Sequence, residues 1–500
     1  MIYIKLIISI LVISTVSAEN KRLSFEDVQG KSPFNYSSIN FLNWVPNENT
    51  YISRHNGKLI KVDIFSSDTS LFLSNDDFYA NGNIIVKKGV SKKPEWDKKF
   101  VPSTFLFDKS GEKILFISKK EKIWRRSFYA SYFVMDLKTK QIYSISENNK
   151  KLRNGKFSPD GKKVAYVRED NNIYVYDLKK YREKQITFNG SEKILNGLHG
   201  WVYEEEFGSF DAYRWSPDSR FIAYWEEDRS NVPVFKLFDE LELYPTTQKI
   251  FYPKAGEKNP IKNIFVVDVK NRNRKKMNIG DNKDTYYPWL KWISNDNIIV
   301  MRMNRLQNFW EFLNISRFNG KYHSGLSESD PNGWVELHRN YHFLNDGNII
   351  WISERSGWHH IYIHDLKGNL IRQLTSGEWE VKNISHIDEK NKKIYFVSNK
   401  ESVFENRFYS INFDGSGLKL LTLEAGSHSV RVFPDGNGFI DSFSSLDHPQ
   451  KHILKDMSGK IIKVISETDK TQFQVYDWSY PKIIQFNSTD KTTVLDGIIT

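Results

Sequence analysis

The sequence predicts an all-β fold, an eight-bladed β-propeller, on three observations. A turn signature precedes a short apolar run eight times along the chain. The repeats follow one another at intervals of roughly 40 to 80 residues, and familiar propeller repeats of four strands run roughly 40 to 50. The 500 residues include 25 Tyr, 34 Phe and 14 Trp, which favour strands, and no Gly/Ser- or Pro-rich linker divides them.

The turn signature has a definite chemistry. In FSPDGKKVAYV from Phe157 and WSPDSRFIAYW from Trp215, Pro presets φ, Asp bonds the following backbone, and Gly or Ser accepts the final bend before a strand. The alternative is a set of coincidental turns in a β-sandwich. A chain with eight repeats at this spacing, however, has more residues than a single sandwich holds. In order, the signature is centred on Asn47, Asp108, Asp160, Asp218, Asp296, Asp346, Asp388 and Asp435.

The sequence also predicts β-hairpins within the repeats. Residues 163–167 and 173–178 are separated by a short polar turn, and a second hairpin begins at His360. The longest interval contains an extra segment, residues 231–259, rich in aromatic and apolar side chains. This segment is expected either to fold onto its parent sheet or to bind a second subunit.

The first residues, MIYIKLIISILVISTVSA, predict an export signal cleaved after Ala18, and therefore a periplasmic or secreted protein. The alternative is an uncleaved membrane anchor, but the apolar run is shorter than the ~20 residues that span a bilayer. The chain contains no Cys, which excludes disulfides and zinc-thiolate chemistry. The net charge of +11 is dispersed among acidic residues, so a nucleic-acid partner is not expected.

The run HGWVYEEE, residues 199–206, places three adjacent carboxylates behind two aromatic residues. A Glu triplet is commonly a solvated surface. Grouped carboxylates also favour a cation, and a peptide's α-ammonium has three donors to offer. On a strand Glu205 and Glu206 would point to opposite faces, whereas on a helical turn both can flank one cation. The functional interpretation thus requires a short helix within the β structure.

Several segments together resemble the dipeptidyl peptidase IV branch of the prolyl oligopeptidase family of serine peptidases. The resemblance spans the mature chain and is carried by WRRSFYASY (124–132), ITFNGSEKILNG (186–197), WVYEEE (201–206), YPKAGEKNP (252–260) and LTSGEWEV (374–381). It implies an eight-bladed propeller that caps an α/β-hydrolase domain. It also implies substrate binding between the two.

By this resemblance, Glu205 and Glu206 would bind the substrate's α-ammonium, and Arg125 would bond the carbonyl of its second residue. Arg126 is adjacent, so the choice of arginine depends on motif alignment. Residues 333–343 are similar to a region that contributes to the substrate pocket, but the length differs and no residue is carried over. No metal or organic cofactor is implied.

The resemblance also implies domain limits. Residues 1–18 would be the signal peptide, 19–50 a segment packing on the hydrolase domain, 51–480 the propeller, and 481–500 the opening strands of a truncated hydrolase domain. No G-x-S-x-G pentapeptide occurs in the chain, so it is expected to lack the catalytic Ser, Asp and His. The chain is expected to be an incomplete copy, inactive alone.

The expected function is therefore substrate gating in an exported serine exopeptidase that releases N-terminal X-Pro or X-Ala dipeptides. Its partners would be peptides with a free amino terminus and a second copy of the chain, bound through residues 231–259. The alternative is a non-catalytic propeller that binds a protein partner or peptide amino termini.

Overall fold

The computed structural model describes residues 21–29, 34–74, 76–77, 104–146, 151–241, 243–281, 283–337, 341–477 and 479–499. In these residues eight antiparallel sheets of four or five strands follow one another along the chain. The predicted all-β, eight-bladed propeller is confirmed. The predicted signal peptide lies outside the described residues.

Blades 1 to 3 each contain four consecutive strands paired in chain order. They are β1 (Phe41–Trp44), β2 (Thr50–His55), β3 (Lys58–Asp63) and β4 (Thr69–Leu73); β5 (Phe105–Phe107), β6 (Lys113–Lys122), β7 (Phe128–Asp136) and β8 (Ile142–Ser144); β9 (Arg153–Phe157), β10 (Lys163–Val167), β11 (Ile173–Asp177) and β12 (Arg182–Gln185).

Blades 4 and 5 differ because two short strands share the place of a first strand. Blade 4 contains β13 (Ile194–Asn196), β14 (Tyr213–Trp215), β15 (Phe221–Asp228), β18 (Ile261–Asp268) and β19 (Arg274–Lys276), and the separate hairpin β16 (Val234–Asp239) and β17 (Thr246–Phe251) is inserted in it. Blade 5 contains β20 (Thr285–Tyr286), β21 (Leu290–Trp292), β22 (Asn297–Asn304), β23 (Phe309–Ser316) and β24 (Tyr322–Ser329).

Blades 6 to 8 return to the four-stranded pattern. Their strands are β25 (Tyr341–Phe343), β26 (Ile349–Ser353), β27 (His360–His364) and β28 (Leu370–Gln373); β29 (Val381–Asp388), β30 (Lys393–Ser398), β31 (Arg407–Asn412) and β32 (Lys419–Leu420); β33 (Ser427–Val432), β34 (Gly438–Ser444), β35 (Lys451–Asp456) and β36 (Ile461–Glu467).

Among the helices and strands whose bounds are given by the described residues, few lie outside the blades. They are the helices α1 (Phe25–Gln29) and α2 (Trp201–Glu206), a 3-10 turn (Lys470–Phe473), and the hairpin β37 (Lys482–Asn487) and β38 (Val494–Ile499). The hairpin coincides with the residues predicted to open a hydrolase domain, and that assignment stays a prediction. Among the described residues, no helix has the length and apolar character needed to span a bilayer.

All eight predicted turns lie where a blade passes from its inner strand to the next, confirming the repeat. In blade 3, Ser158 Oγ donates to Asp160 Oδ1 at 2.6 Å, and the same oxygen accepts from the Lys162 N–H at 3.1 Å. Gly161 follows with φ of +65°, a conformation that glycine adopts without strain. The hairpin predicted from residues 163–167 and 173–178 pairs in register as β10 and β11.

Buried side chains fill the spaces between neighbouring blades and form eight clusters in the described residues. The cluster that joins the two ends of the ring contains Tyr51 and Val62 of blade 1 with Ile440 and Leu454 of blade 8. Each of these two blades is a continuous stretch of chain. The ring is thus closed by side-chain packing and not by a strand shared between its ends.

The first sheet begins before residue 51. Strand β1 lies within residues 19–50, the segment predicted to pack on a hydrolase domain, and that packing stays a prediction. Phe41 and Trp44 pack on Tyr51, with ring centroids 5.3 and 6.1 Å away, so β1 completes the first sheet. Earlier in the chain, Lys21 forms a parallel bridge with Tyr476, just beyond blade 8.

Candidate functional site

The helix that the carboxylate motif required is present as α2. It occupies an excursion between β13 and β14, which pair with the two ends of the same strand, β15. The excursion is closed at its base by a bridge between Leu198 and Asp211. Because first strands line the centre of a propeller, this interruption brings α2 to the inner side of blade 4.

The amino end of α2 is tied to blade 4. Glu227 Oε2 accepts a hydrogen bond from the Gly200 N–H at 3.0 Å, and the same carboxylate is ion-paired with Lys262, its cross-strand neighbour. The two side chains are 2% and 0% exposed. A Cβ at residue 200 would lie 2.4 Å from Glu227 Oε1, so glycine permits this close approach.

An aromatic and cationic stack lies under the same turn. Lys262 Nζ donates to His199 Nδ1 at 2.7 Å and lies 3.9 Å from the centre of the Tyr203 ring. His199 stacks on Tyr203 with centroids 4.7 Å apart, and burial holds the pKa of His199 well below its usual value. Tyr203 Oη accepts from the Tyr287 N–H at 3.0 Å, which joins the helix to blade 5.

Glu204 ties α2 to blade 2. Its side chain is buried, and Oε1 accepts hydrogen bonds from the backbone N–H groups of Arg126 at 2.6 Å and Ser127 at 2.8 Å. Arg126 Nη1 in turn donates to the Glu204 carbonyl at 3.0 Å. The first carboxylate of the triplet is therefore structural, and it fixes the loop that carries the two adjacent arginines.

Arg125 and Glu205 meet on the other side of this loop. Arg125 Nε lies 3.2 Å from Glu205 Oε2, with the arginine side chain 71% exposed and the glutamate 15% exposed. The structure thus separates the arginines that the sequence left ambiguous, because Arg126 binds the helix backbone and Arg125 reaches a carboxylate. The predicted Arg125 and Glu205 are brought together; their role toward a substrate stays a prediction.

Glu206 is exposed and lines a cavity of about 360 Å³ at the end of α2. Trp289 and Trp334 form aromatic walls of this cavity, and Glu336 adds a second carboxylate. Residues 334–337 fall in the region from which no residue was carried over, and the irregular length of that region hid their position. Residues 338–340 lie outside the described part of the chain.

Trp289 also lines a larger cavity of about 1100 Å³. Because first-strand residues from blades 2, 3, 5 and 6 share its wall with residues 208–217, this cavity is the centre of the propeller. In that wall Lys156 Nζ lies 2.6 Å from Asp211, and Arg214 approaches the same carboxylate at 3.2 Å. Desolvation lowers the pKa of Lys156 to about 8, against the opposing effect of Asp211.

Sequence comparison decides the family. Residues 108–450 match the model described as the dipeptidyl peptidase IV (DPP IV) N-terminal region. The chain belongs to this family. The match includes α2, the arginine loop, the smaller cavity and all of the lining of the larger cavity except Leu106 and Phe107.

Curated relatives carry the same family name. Dipeptidyl peptidase 4 of Arthroderma otae is 29% identical over 355 residues, covering 67% of this chain and 45% of the relative. Probable dipeptidyl peptidase 4 of Arthroderma benhamiae is 28% identical with the same coverage. The chain therefore spans less than half the length of these DPP IV relatives.

Solved structures share the fold. Porphyromonas gingivalis dipeptidyl peptidase 4 superposes with a TM-score of 0.83 at 24% identity, covering 96% of this chain and 67% of that one. A putative dipeptidyl aminopeptidase IV from Bacteroides ovatus gives 0.70 at 19% identity, covering 95% and 66%. At these identities the likeness supports the architecture alone.

Proposed function

We propose that α2 and the arginine loop hold the free amino terminus of a peptide for an exported serine-type dipeptidyl peptidase that releases X-Pro or X-Ala dipeptides. The observation that carries the proposal is the position of Glu205 and Glu206 on one short helix, beside Arg125 and a cavity. The 500 residues contain no G-x-S-x-G pentapeptide, so these residues are assigned binding and not cleavage.

The charges fit a peptide held in one direction. An α-ammonium offers three donors to the carboxylates, and the guanidinium at the other end offers several to a carbonyl oxygen. In the free protein the Arg125–Glu205 pair is largely exposed on the arginine side. Exposed ion pairs contribute roughly 0.2–1 kcal/mol, so substrate can replace this contact at little cost.

Binding is tested on the chain by calorimetry, with the tripeptide Gly-Pro-Ala and its N-acetyl derivative as ligands. Acetylation removes the positive charge, and it is expected to abolish binding. Glu205→Gln and Glu206→Gln are each expected to weaken binding by roughly 10- to 100-fold, the range for one hydrogen bond to a charged group. Equal affinity for the acetylated peptide would contradict the proposal.

A matched control distinguishes the loss of a binding-site carboxylate from a general decrease in negative charge. Glu378→Gln removes a carboxylate that is exposed in the loop before β29 and should leave the affinity unchanged. Cleavage is tested separately, on the longest open reading frame that contains these residues, as release of p-nitroaniline from Gly-Pro-p-nitroanilide. Peptide binding without any release would support the non-catalytic alternative.

We also propose that the hairpin of β16 and β17, here called the arm, joins two copies of the chain. All of β16 is exposed, and Phe238 and the turn residues Leu241, Leu243 and Tyr244 present large apolar surfaces to solvent. The arm forms its own two-stranded sheet, which does not extend the parent blade. Contiguous exposed apolar surface of this kind is typical of an interface.

A further inference from the structure

Two basic hairpins face each other on neighbouring blades. The β11–β12 hairpin contributes DLKKYREKQ (177–185) and the β18–β19 hairpin contributes VKNRNRKK (269–276). Between them lies a cavity of about 690 Å³, here called the basic groove. The fold therefore brings basic residues from two separate hairpins to one surface.

Most cations of the basic groove have no acidic partner. Seven basic side chains line it, against three carboxylates. Arg220 pairs with Asp268 at 3.0 Å, and Lys163 lies 3.8 Å from Asp160. Within the described residues, five have no carboxylate within ion-pair distance: Lys180, Arg182, Lys184, Lys270 and Arg272.

Each carboxylate of the groove already has a partner, and Asp218, for example, accepts the Arg220 backbone N–H at 3.1 Å. Glu183 binds Arg168 at 3.0 Å, and Asp177 accepts the Lys180 backbone N–H at 2.8 Å. The pKa of Lys184 is lowered by desolvation first and then by the neighbouring cations Arg272, Arg182 and Lys180, with Asp268 opposing. Crowded like charges without counterions destabilise a fold, and an anionic ligand would relieve this repulsion.

We propose that the basic groove binds a linear polyanion made of linked phosphate groups and without aromatic bases. A volume of about 690 Å³ is that of a chain segment and not of one phosphate ion. Val175 and Val269 are the apolar residues in its lining, so the ligand is held by charge. An arginine guanidinium can donate two parallel hydrogen bonds to the oxygens of one phosphate. Arg182 provides one guanidinium from the β11–β12 hairpin, and Arg272 provides one from the β18–β19 hairpin.

The groove is distinct from the α2 site. Arg220, which lines the groove, directly precedes β15, whereas Glu227, which holds α2, is near the other end of that eight-residue strand. At about 3.3 Å per residue, the two sites are separated by roughly 20 Å. The proposal therefore does not depend on peptide binding. Single-stranded nucleic acid is disfavoured because the lining contains no aromatic side chain on which bases could stack.

The test measures binding of short-chain inorganic polyphosphate to the chain by fluorescence anisotropy between 50 and 200 mM salt, about the range over which phosphate contacts weaken most clearly. Arg182→Gln with Arg272→Gln is expected to weaken binding at least about tenfold, and to lower the salt slope by about 2, one per contact removed. The pair Lys367→Gln and Lys390→Gln, exposed on blades 6 and 7, is the charge-matched control and should change neither quantity.

Further ligands decide the chemistry. Inorganic phosphate at the same phosphorus concentration should bind far more weakly, and oligothymidylate should not bind more tightly than polyphosphate. Equal affinities of the groove variant and the unmodified chain, an equal loss in the control variant, or preference for the oligonucleotide would each overturn the proposal. The thermal midpoint of the groove variant should be equal to or higher than that of the unmodified chain, because the substitutions reduce repulsion between like charges.

Discussion

At the scale of single residues, the most demanding feature is a charge pair sealed beneath α2. Lys262 and Glu227 face each other across antiparallel strands and are almost without solvent contact. Desolvation lowers the pKa of Lys262, while Glu227 opposes the shift. A buried ion pair adds little net stability compared with a pair of apolar side chains of similar size. Each partner nevertheless compensates the desolvation cost of the other, so removing one of them is strongly destabilising. Its evident structural effect is to hold the carboxylate that receives the Gly200 N–H.

Lys262→Met is therefore expected to lower the free energy of unfolding by about 3–5 kcal/mol, because Glu227 is left as an unpaired buried charge. The double variant Lys262→Met with Glu227→Gln should recover most of this loss. Urea denaturation followed by tryptophan fluorescence measures both. A double variant that is as unstable as the sum of the single variants would refute this coupling.

At the scale of elements, α2 is too short to be stable by itself. It has six residues and no side-chain cap at its amino end, and isolated helices below ~12–15 residues are marginal in water. Its stability comes from contacts with blades 2, 4 and 5 through Glu204, Gly200 and Tyr203. Three attachments at different points fix the direction in which Glu205 and Glu206 project.

The arm differs from α2 because most of its residues are exposed to solvent. Its root contacts the site: Trp201 packs on Tyr252 with ring centroids 4.7 Å apart, and Tyr252 directly follows β17. Shortening should therefore spare this root. The apolar tip, and not the base, is expected to join the subunits.

Replacing residues 236–249 with a short Gly/Ser turn is expected to convert a dimer into a monomer, because the exposed apolar tip is removed. Mass in solution by light scattering measures this directly. As a control, Lys236→Gln with Lys249→Gln changes charge on the arm and retains its apolar surface, so it should stay dimeric. A monomer in the unmodified chain at micromolar concentration would contradict the dimer proposal.

At the scale of the whole molecule, stability depends on packing between neighbouring blades. The ring has no covalent closure and no Cys, so blades 8 and 1 are held by their shared apolar cluster. Several histidines are buried in this framework. Burial is the largest cause lowering the pKa of each of six histidines: His199, His342, His360, His364, His386 and His452.

The sign of the resulting pH dependence follows from the lowered pKa values. His342, for example, is lowered to about 4 from 6.5. As the pH falls below about 6.5, these histidines are protonated in the unfolded chain but stay neutral in the folded chain. The free energy of unfolding therefore decreases between pH 7 and 5. Each such histidine contributes a slope of up to about 1.4 kcal/mol per pH unit.

Urea midpoints at pH 7.5, 6 and 5 measure this loss. His342→Gln should reduce the slope by about one proton, because the lowered pKa of that imidazole is then absent from the folded chain. Stability that is constant or rises as the pH falls to 5 would show that the buried histidines do not govern it.

Much of the architecture could be predicted because it depends on local chemistry. The eight turns combine Pro, Asp, Asn and Gly within a few residues, and each turn marks the same place in its blade. The short helix followed from the requirement that adjacent carboxylates share one cation. Strand β1 was not predicted, because it has no strong local pattern and joins the first sheet by packing on Tyr51.

By itself, the sequence determined the all-β class, the number of blades and the short helix. It also predicted a site of Glu205, Glu206 and Arg125, of which the structure places Arg125 beside Glu205. Only the tertiary structure decided that Glu204 is a structural anchor, that Lys262 and Glu227 form a buried pair, and that two basic hairpins share a groove. Those relations join residues tens of positions apart, and pairing across strands and blades has no signature in local spacing. Turn chemistry acts over a few residues, whereas burial and charge compensation depend on which distant side chains the closed ring brings together.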